Sequence, residues 1–529
     1  MAQDPRERYH QAVDALNRGD WKRAQSLAMA LRREVPPHAG VNFVAGVAAR
    51  ELLQIPLAIE CLEQAVQLNP ERPDYLAQLA RAWAQASETG RAFELAERAA
   101  ARPGLDPVTL DVLGLIYTHA HAHKKAAAMY QRAAAALPGS ARARFNHATA
   151  LIHIGDIDSA EQALEECLRI DPRYWKAYLS RAHLRRQRPD SNHIDELRSR
   201  LEMTGNDPAA TLFVNLALSK ELEDCGEYDE AFQRLVNGKA AWRRERPAYS
   251  TKHDEELFNA LIEACPHDVP ASAGCDSQEP IFIIGLPRTG TTLVERIVSG
   301  HSQVLSAGEL QNFSVALKRA TGSTTPPVLD LDVVARSRSS DLDWKALGER
   351  YVASTRPGTG STPHFIDKLP HNFLYAGYIA AALPNAKIIC LRRNPMDSCL
   401  SNFRQLFALR APHLEYSFDL MDTARYYVLF DRMMRAWGER MPGRILELQY
   451  EDVVDDIEGT ARGLLEFCGL PWEEACVRFE ENPAPVATAS AVQVREPVNR
   501  RAVGRWKRYQ SQLQPVLELL ETAGIAIDN

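Results

Sequence analysis

The sequence predicts two joined folds: an all-α array of stacked helix pairs, then an α/β domain built on a parallel sheet. Three observations carry this. Small residues recur every 34 positions through the first half. Short apolar runs alternate with amphipathic stretches through the second. Between them lies "CPHDVPASAGCDSQEP", rich in Pro, Gly, Ser and Asp, as linkers are. The expected boundaries are 1–262 for the array, 263–279 for the linker and 280–529 for the α/β domain. At 529 residues the chain has ample length for more than one core.

The array is read from its register. Ala24, Ala58, Ala92, Ala126 and Ala160 are 34 residues apart, and Ala12, Gly46, Ala80, Gly114 and Ala148 stand twelve residues before each. Small side chains let paired helices approach closely. Pro36, Pro70, Pro138 and Pro172 keep the same phase, with Pro103 one residue out, and end the second helix of each pair. Ala182 begins a sixth, damaged unit, and "SKELEDCGEYDEAF" gives a seventh with Ser219 and Ala231 in the small positions. Stacked pairs of this kind form a superhelix with a concave face. The pattern resembles the tetratricopeptide repeat over about residues 8 to 245. That resemblance implies a surface for a peptide or protein partner. A purely architectural or dimerising role is the alternative.

Composition narrows the function classes. Apolar residues make up 45% and charged residues 25%, as in soluble globular proteins. The net charge of −7 gives no broad basic field for nucleic acid. The start of the chain lacks an apolar run, and no window of about 20 apolar residues occurs, so neither a signal peptide nor a membrane span is expected. Nine scattered cysteines without CxxC pairs read as buried free thiols of a cytoplasmic protein. No metal site is expected.

In the second half, "IFIIG", "HFIDK", "AKIICLRR" and "RILELQY" suit buried parallel strands, and 291–300, 372–383, 395–407 and 456–468 are amphipathic. Ligands of such sheets bind at the carboxyl ends of the strands. The first strand runs into Gly285-Leu-Pro-Arg-Thr-Gly-Thr-Thr292, a glycine-bounded loop opening a helix. Helix N-termini favour anions. Thr291 stands where a triphosphate-binding loop has its lysine, which disfavours a triphosphate. Arg288 and the two threonines suit a smaller anionic group. Downstream, Arg393 and Ser401 flank a second helix entry at Asn394-Pro395. A solvated arginine at a strand end would also explain Arg393. Two separated anion sites suggest a nucleotide bearing phosphates at two positions.

With these residues in view, "PRTGTT" and "RNPMDSCLS" resemble the two cofactor loops of the sulfotransferases, which use 3'-phosphoadenosine 5'-phosphosulfate (PAPS). The resemblance implies that Arg288, Thr289, Gly290, Thr291 and Thr292 hold the 5'-phosphosulfate, and Arg393 and Ser401 the 3'-phosphate. The pattern is most similar to the tyrosylprotein sulfotransferase branch. There, "SAGEL" matches the general base at Glu309, "FIDKLPHNF" a leaving-group lysine at Lys368, and Tyr450-Glu451 a tyrosine–acid pair. "SAVQVREPVNRRAVGRW" matches its closing motif and implies cofactor contacts at Ser490 and Arg505, the latter in place of a lysine. Animal enzymes of that branch are membrane-anchored and carry disulfides; this chain has a repeat array instead, so the acceptor does not carry over.

The expected activity is therefore sulfuryl transfer from PAPS to an acceptor hydroxyl, leaving adenosine 3',5'-bisphosphate (PAP). A tyrosine of a bound peptide or protein is one candidate acceptor; a glycan, a lipid or a small phenol are others. Glu309 acts as base, with Lys368 and Arg288 stabilising charge. Glu309 could instead cap the next helix, and Lys368 could pair with Asp367 or another carboxylate. His301, His364 and His371 are rival bases. His301 follows a helix-ending Gly300, and the other two have no partner visible in the sequence. Rivals of another class are a nucleotide kinase or NTPase, disfavoured by the missing lysine, and a binding adaptor with an inactive nucleotide domain.

Overall fold

The computed structural model describes residues 4–244, 246, 249–266, 269–339, 341–356, 358–409, 411–482, 484–487, 492, 494 and 498–527. By contacts the chain divides into two compact units, residues 1–154 with 354–358, and residues 155–353 with 359–529.

The first unit is helical pairs, beginning Pro5–Asn17 and Trp21–Glu34 and ending with His123–Ala136 and Ala141–Ile154. The periodic small residues sit where helices touch. Ala12, Ala24, Ala58, Ala80, Ala92 and Ala148 are fully buried. A Cβ on Gly46 would lie 2.6 Å from Leu62 Cγ, and one on Gly114 2.7 Å from the Tyr130 ring. At these two positions a side chain would collide with the facing helix. The turn inside each pair has the same period: Gly19, Leu53, Ser87, His121 and Gly155 all have φ between 56° and 86°. Three of these five are not glycine, so a left-handed turn is enforced by the packed helices against an intrinsic cost.

The second unit opens with further helices, among them Trp175–Leu184, Ile194–Glu202, Pro208–Cys225, Tyr228–Arg243 and Thr251–Glu263. The damaged sixth repeat appears as two shortened helices of ten and nine residues. In the seventh, Ser219 Oγ donates to the Ala231 carbonyl at 2.7 Å, closing the pair at its two small positions.

A five-stranded, wholly parallel sheet follows: β1 (Pro280–Gly285), β2 (Val304–Ser306), β3 (His364–Asp367), β4 (Lys387–Arg392) and β5 (Ile445–Gln449), in the order β2-β3-β1-β4-β5. Alternate residues of β1 feed two cores. Phe282 and Ile284 face one that also holds Phe365, Ile388 and Phe258, while Ile281 and Ile283 face another with Ile366, Ile389, Val294 and Leu464. A sheet covered on both faces explains strands that read as unbroken apolar runs. Phe258 belongs to helix Thr251–Glu263, so a helix preceding the Pro/Gly-rich segment shares the core of the sheet. Lys239 of helix Tyr228–Arg243 is buried there too, donating to the carbonyls of Gln405 at 2.7 Å and Ser417 at 3.0 Å.

Candidate active site

The carboxyl ends of β1, β3 and β4 converge on the predicted residues. β1 ends at Gly285, whose φ of 143° turns the chain; a Cβ there would meet the Leu391 carbonyl at 2.5 Å. The loop then passes Arg288, at φ 68°, and Gly290, at φ 104°, before helix Thr291–Val298. Thr289, Thr291 and Thr292 are buried in this bend, with Thr289 Oγ1 donating to the Leu286 carbonyl at 2.8 Å. Asn402 pins the loop from outside, its Nδ2 donating to the Pro287 carbonyl at 2.8 Å while Tyr416 donates to its Oδ1 at 3.0 Å. A non-glycine residue held at positive φ stores strain that surrounding structure must pin down. At Arg288 the clamp by Asn402 one residue away supplies part of that restraint.

The second predicted anion site is assembled beside the first. Arg393 Nη1 donates to Ser401 Oγ at 3.2 Å and to the Arg288 carbonyl at 3.1 Å, and its guanidinium lies 4.9 Å from the Tyr450 ring. Tyr450 in turn closes over the first loop: a Cβ on Gly290 would lie 2.4 Å from its ring. Asn394 caps helix Pro395–Arg404 through its side chain, and Glu451 accepts from the Asn394 amide at 3.1 Å. Asp397 accepts from the amides of Gly504 at 2.7 Å and Trp506 at 2.9 Å, which brings Arg505 to the site. Ser490, also expected here, lies outside the described residues.

Charge is concentrated at this point. Arg404 joins Arg288, Arg393 and Arg505. Burial together with Arg404, Arg393 and Arg505 pushes Arg288 down to about 10. The neighbouring Arg404, then burial, does the same to Arg505. Guanidiniums that depress one another in this way make a site that favours an added anion.

The expected catalytic pair is in direct contact. Lys368 Nζ lies 2.5 Å from Glu309 Oε1 and 3.9 Å from Glu295 Oε2. Lys368 is buried, whereas the Glu309 side chain is 44% exposed. Burial opposes charge on Lys368, but Glu295 and Glu309 outweigh it and raise its pKa. Glu309 does not cap a helix. It precedes the helix Asn312–Thr321, whose N-cap is Gln311, and turns to Lys368 instead.

The rival histidines are engaged otherwise. His301 is buried, 3.0 Å from the Pro471 carbonyl. His364 begins β3, at the opposite end of the strand from Lys368, and bonds the Gln278 carbonyl at 2.9 Å. His371 is buried and pushed down to about 3 by desolvation and by His413.

Sequence reasoning missed Glu295, Asn402, Asp397, Arg404 and Glu223. Glu295 accepts from Ser306 Oγ at 2.6 Å, and a charged residue inside the apolar run "TTLVERIV" was its one signal.

With the geometry in hand, comparison with known proteins is decisive for this segment. Residues 280–474 match the model of the sulfotransferase family. They form a sulfotransferase-family domain. Residues 43–107 and 117–191 each match a tetratricopeptide-repeat model. The sulfotransferase match spans Arg288 to Tyr450 and ends before Ser490 and Arg505. An uncharacterized protein of Aquifex aeolicus is 30% identical over 384 residues, 70% of this chain and 49% of that protein. Protein-tyrosine sulfotransferase 2 of Gallus gallus is 23% identical over 236 residues, 43% of this chain and 62% of the enzyme. Protein-tyrosine sulfotransferase A of Caenorhabditis elegans is 24% identical over 294 residues, 49% and 71% of the two chains. The chain thus spans about half the length of the bacterial relative and under two thirds of the Gallus enzyme.

Proposed function

We propose that this protein transfers a sulfuryl group from PAPS to an acceptor hydroxyl. The observation that carries the reading is the joint placement of an arginine-rich anion cradle and the Lys368–Glu309 pair at the carboxyl ends of β1, β3 and β4. The cradle fits a nucleotide with two separate anionic groups. Arg288, Thr289, Gly290, Thr291 and Thr292 would hold the 5'-phosphosulfate, and Arg393, Ser401 and Arg505 the 3'-phosphate, with Tyr450 against the first loop. PAPS supplies the activated sulfuryl group.

The remaining work falls to the chain's own residues. Glu309 takes the proton of the acceptor hydroxyl as its oxygen bonds to sulfur, and the sulfur–oxygen bond to the 5'-phosphate breaks. Lys368 and Arg288 stabilise the charge on the leaving and equatorial oxygens; one such donor is worth on the order of 3 kcal/mol. Lys368 also aims Glu309, since the two are in contact before any substrate arrives.

The acceptor we favour is a tyrosine of a peptide or protein. Relatives named as protein-tyrosine sulfotransferases and a repeat type that commonly binds peptides both support it. The nine free cysteines, eight of them buried, support a reducing, cytoplasmic setting. Among the described residues no helix is long and apolar enough to cross a membrane.

Glu309→Gln tests the assignment. The variant should bind PAP with wild-type affinity in calorimetry and lose roughly 10²–10⁴-fold in turnover, the usual contribution of a positioned base. Full turnover would remove Glu309 from the role.

A further inference from the structure

One buried carboxylate in the second unit comes from the repeat-type helices. Glu223 lies in helix Pro208–Cys225, within the segment "SKELEDCGEYDEAF" that announced the seventh repeat. It is 7% exposed. Its Oε2 accepts a hydrogen bond from Arg404, and its Oε1 lies 3.6 Å from Arg505 Nε. Arg505 Nε is buried and makes no hydrogen bond of its own. Burial pushes the Glu223 carboxyl up, but Arg404 and Arg505 more than offset this and keep it ionised. The groups around the pair are Arg288, Arg393 and Arg508, with Tyr509 and Asp224.

Resting on the sulfotransferase reading, we propose that Glu223 is a built-in counter-ion of the nucleotide site, a positioning residue that holds Arg404 and Arg505 together without ligand and competes with the nucleotide phosphate for them. Arg404 pushes the pKa of Arg505 down, and a negative charge between the two offsets that repulsion. Glu223 supplies it when no anion is bound. An arriving phosphate must share those guanidiniums with the carboxylate, so Glu223 lowers nucleotide affinity and favours release of the bisphosphate product. Its loss leaves the backbone of Arg505 in place. Asp397 fixes the backbone on both sides of that residue through the Gly504 and Trp506 amides. Electrostatic competition therefore outweighs lost positioning. At an effective dielectric constant of about 20, a unit charge within about 12 Å of a phosphate changes affinity by about tenfold or more.

Calorimetry with PAP on the full chain tests this. Glu223→Gln should bind PAP about tenfold more tightly than wild type, with a lower melting temperature in the absence of ligand and a larger rise on saturation. Glu223→Asp, which keeps the charge, should stay near wild type in both. Because Glu223→Gln leaves buried guanidiniums unpaired, the double variant E223Q/R404Q removes the close pair as a unit; it should bind PAP more tightly than R404Q alone. Unchanged or weaker binding on loss of Glu223 in both backgrounds overturns the counter-ion role and leaves the sulfotransferase reading standing. Failure of the wild-type protein to bind PAP overturns that reading and this role with it.

Discussion

Asp367 shows what a single residue contributes beside the Lys368–Glu309 pair. It is fully buried at the end of β3, accepting from Tyr351 OH at 2.9 Å and Asn372 Nδ2 at 3.2 Å. Desolvation outweighs these donors and raises its pKa to about 7. Between the unfolded value of 3.8 and about 7 the folded protein holds a proton that the unfolded chain has released. Stability therefore falls as pH rises through that window, by up to a few kcal/mol. Asp367→Asn imitates the protonated carboxyl and should remove the slope. Melting temperatures between pH 4 and 8 should show the variant gaining on wild type as pH increases; parallel curves would refute the assignment. The sequence offered Asp367 or another carboxylate as an alternative, structural partner for Lys368. The lysine instead contacts Glu309, because β2 and β3 pair in parallel and bring "SAGEL" alongside "FIDK". Spacing alone carries no such register. Glu309, Lys368, Arg393 and Ser401 were legible through local motifs. Arg404 and Glu223 were not, because 181 residues separate them and only the fold joins them.

At the scale of elements, the loop between β1 and helix Thr291–Val298 depends on glycine at two points. Gly290 combines φ 104° with a gap of 2.4 Å from its would-be Cβ to the Tyr450 ring. Gly290→Ala should therefore fold but displace Tyr450 and the loop, at a local cost of order 1–3 kcal/mol. The expected reading is a loss of at least tenfold in PAP affinity by calorimetry; wild-type affinity would mean that the loop does not need this conformation. β1, β3 and β4 were visible as apolar runs because both faces of the sheet are covered there, whereas the edge strand β5 is partly exposed. β2 is three residues long, too short for any pattern to register. The helix Leu420–Arg440 lies in a stretch that carries no motif. Its buried face mixes Tyr426, Phe430, Met434 and Trp437 with Asp422 and Asp431, and this blurred the apolar stripe.

For the whole molecule, the 34-residue period was the plainest signal in the sequence. It predicted close-packed helix pairs but not the left-handed turns at Leu53, Ser87 and His121, where no glycine marks them. The period did not reveal that repeat-type helices are also part of the second unit's core. Lys239 donates to Gln405 and Ser417, and Glu223 reaches the arginine cluster. Those contacts join positions 166 to 282 residues apart, counting Arg505 with Glu223, so they have no local signature. Through them, repeat-type helices contribute side chains to the unit that carries the arginine cluster.

The measurement that bears most directly on the central claim is incubation of the purified chain with ³⁵S-labelled PAPS and a protein extract, without ATP. Label should enter protein as acid-labile tyrosine sulfate, and Lys368→Ala, which removes the buried cation beside Glu309, should lose at least a hundredfold of that rate. PAPS left intact, with no label in any acceptor, would contradict sulfuryl transfer.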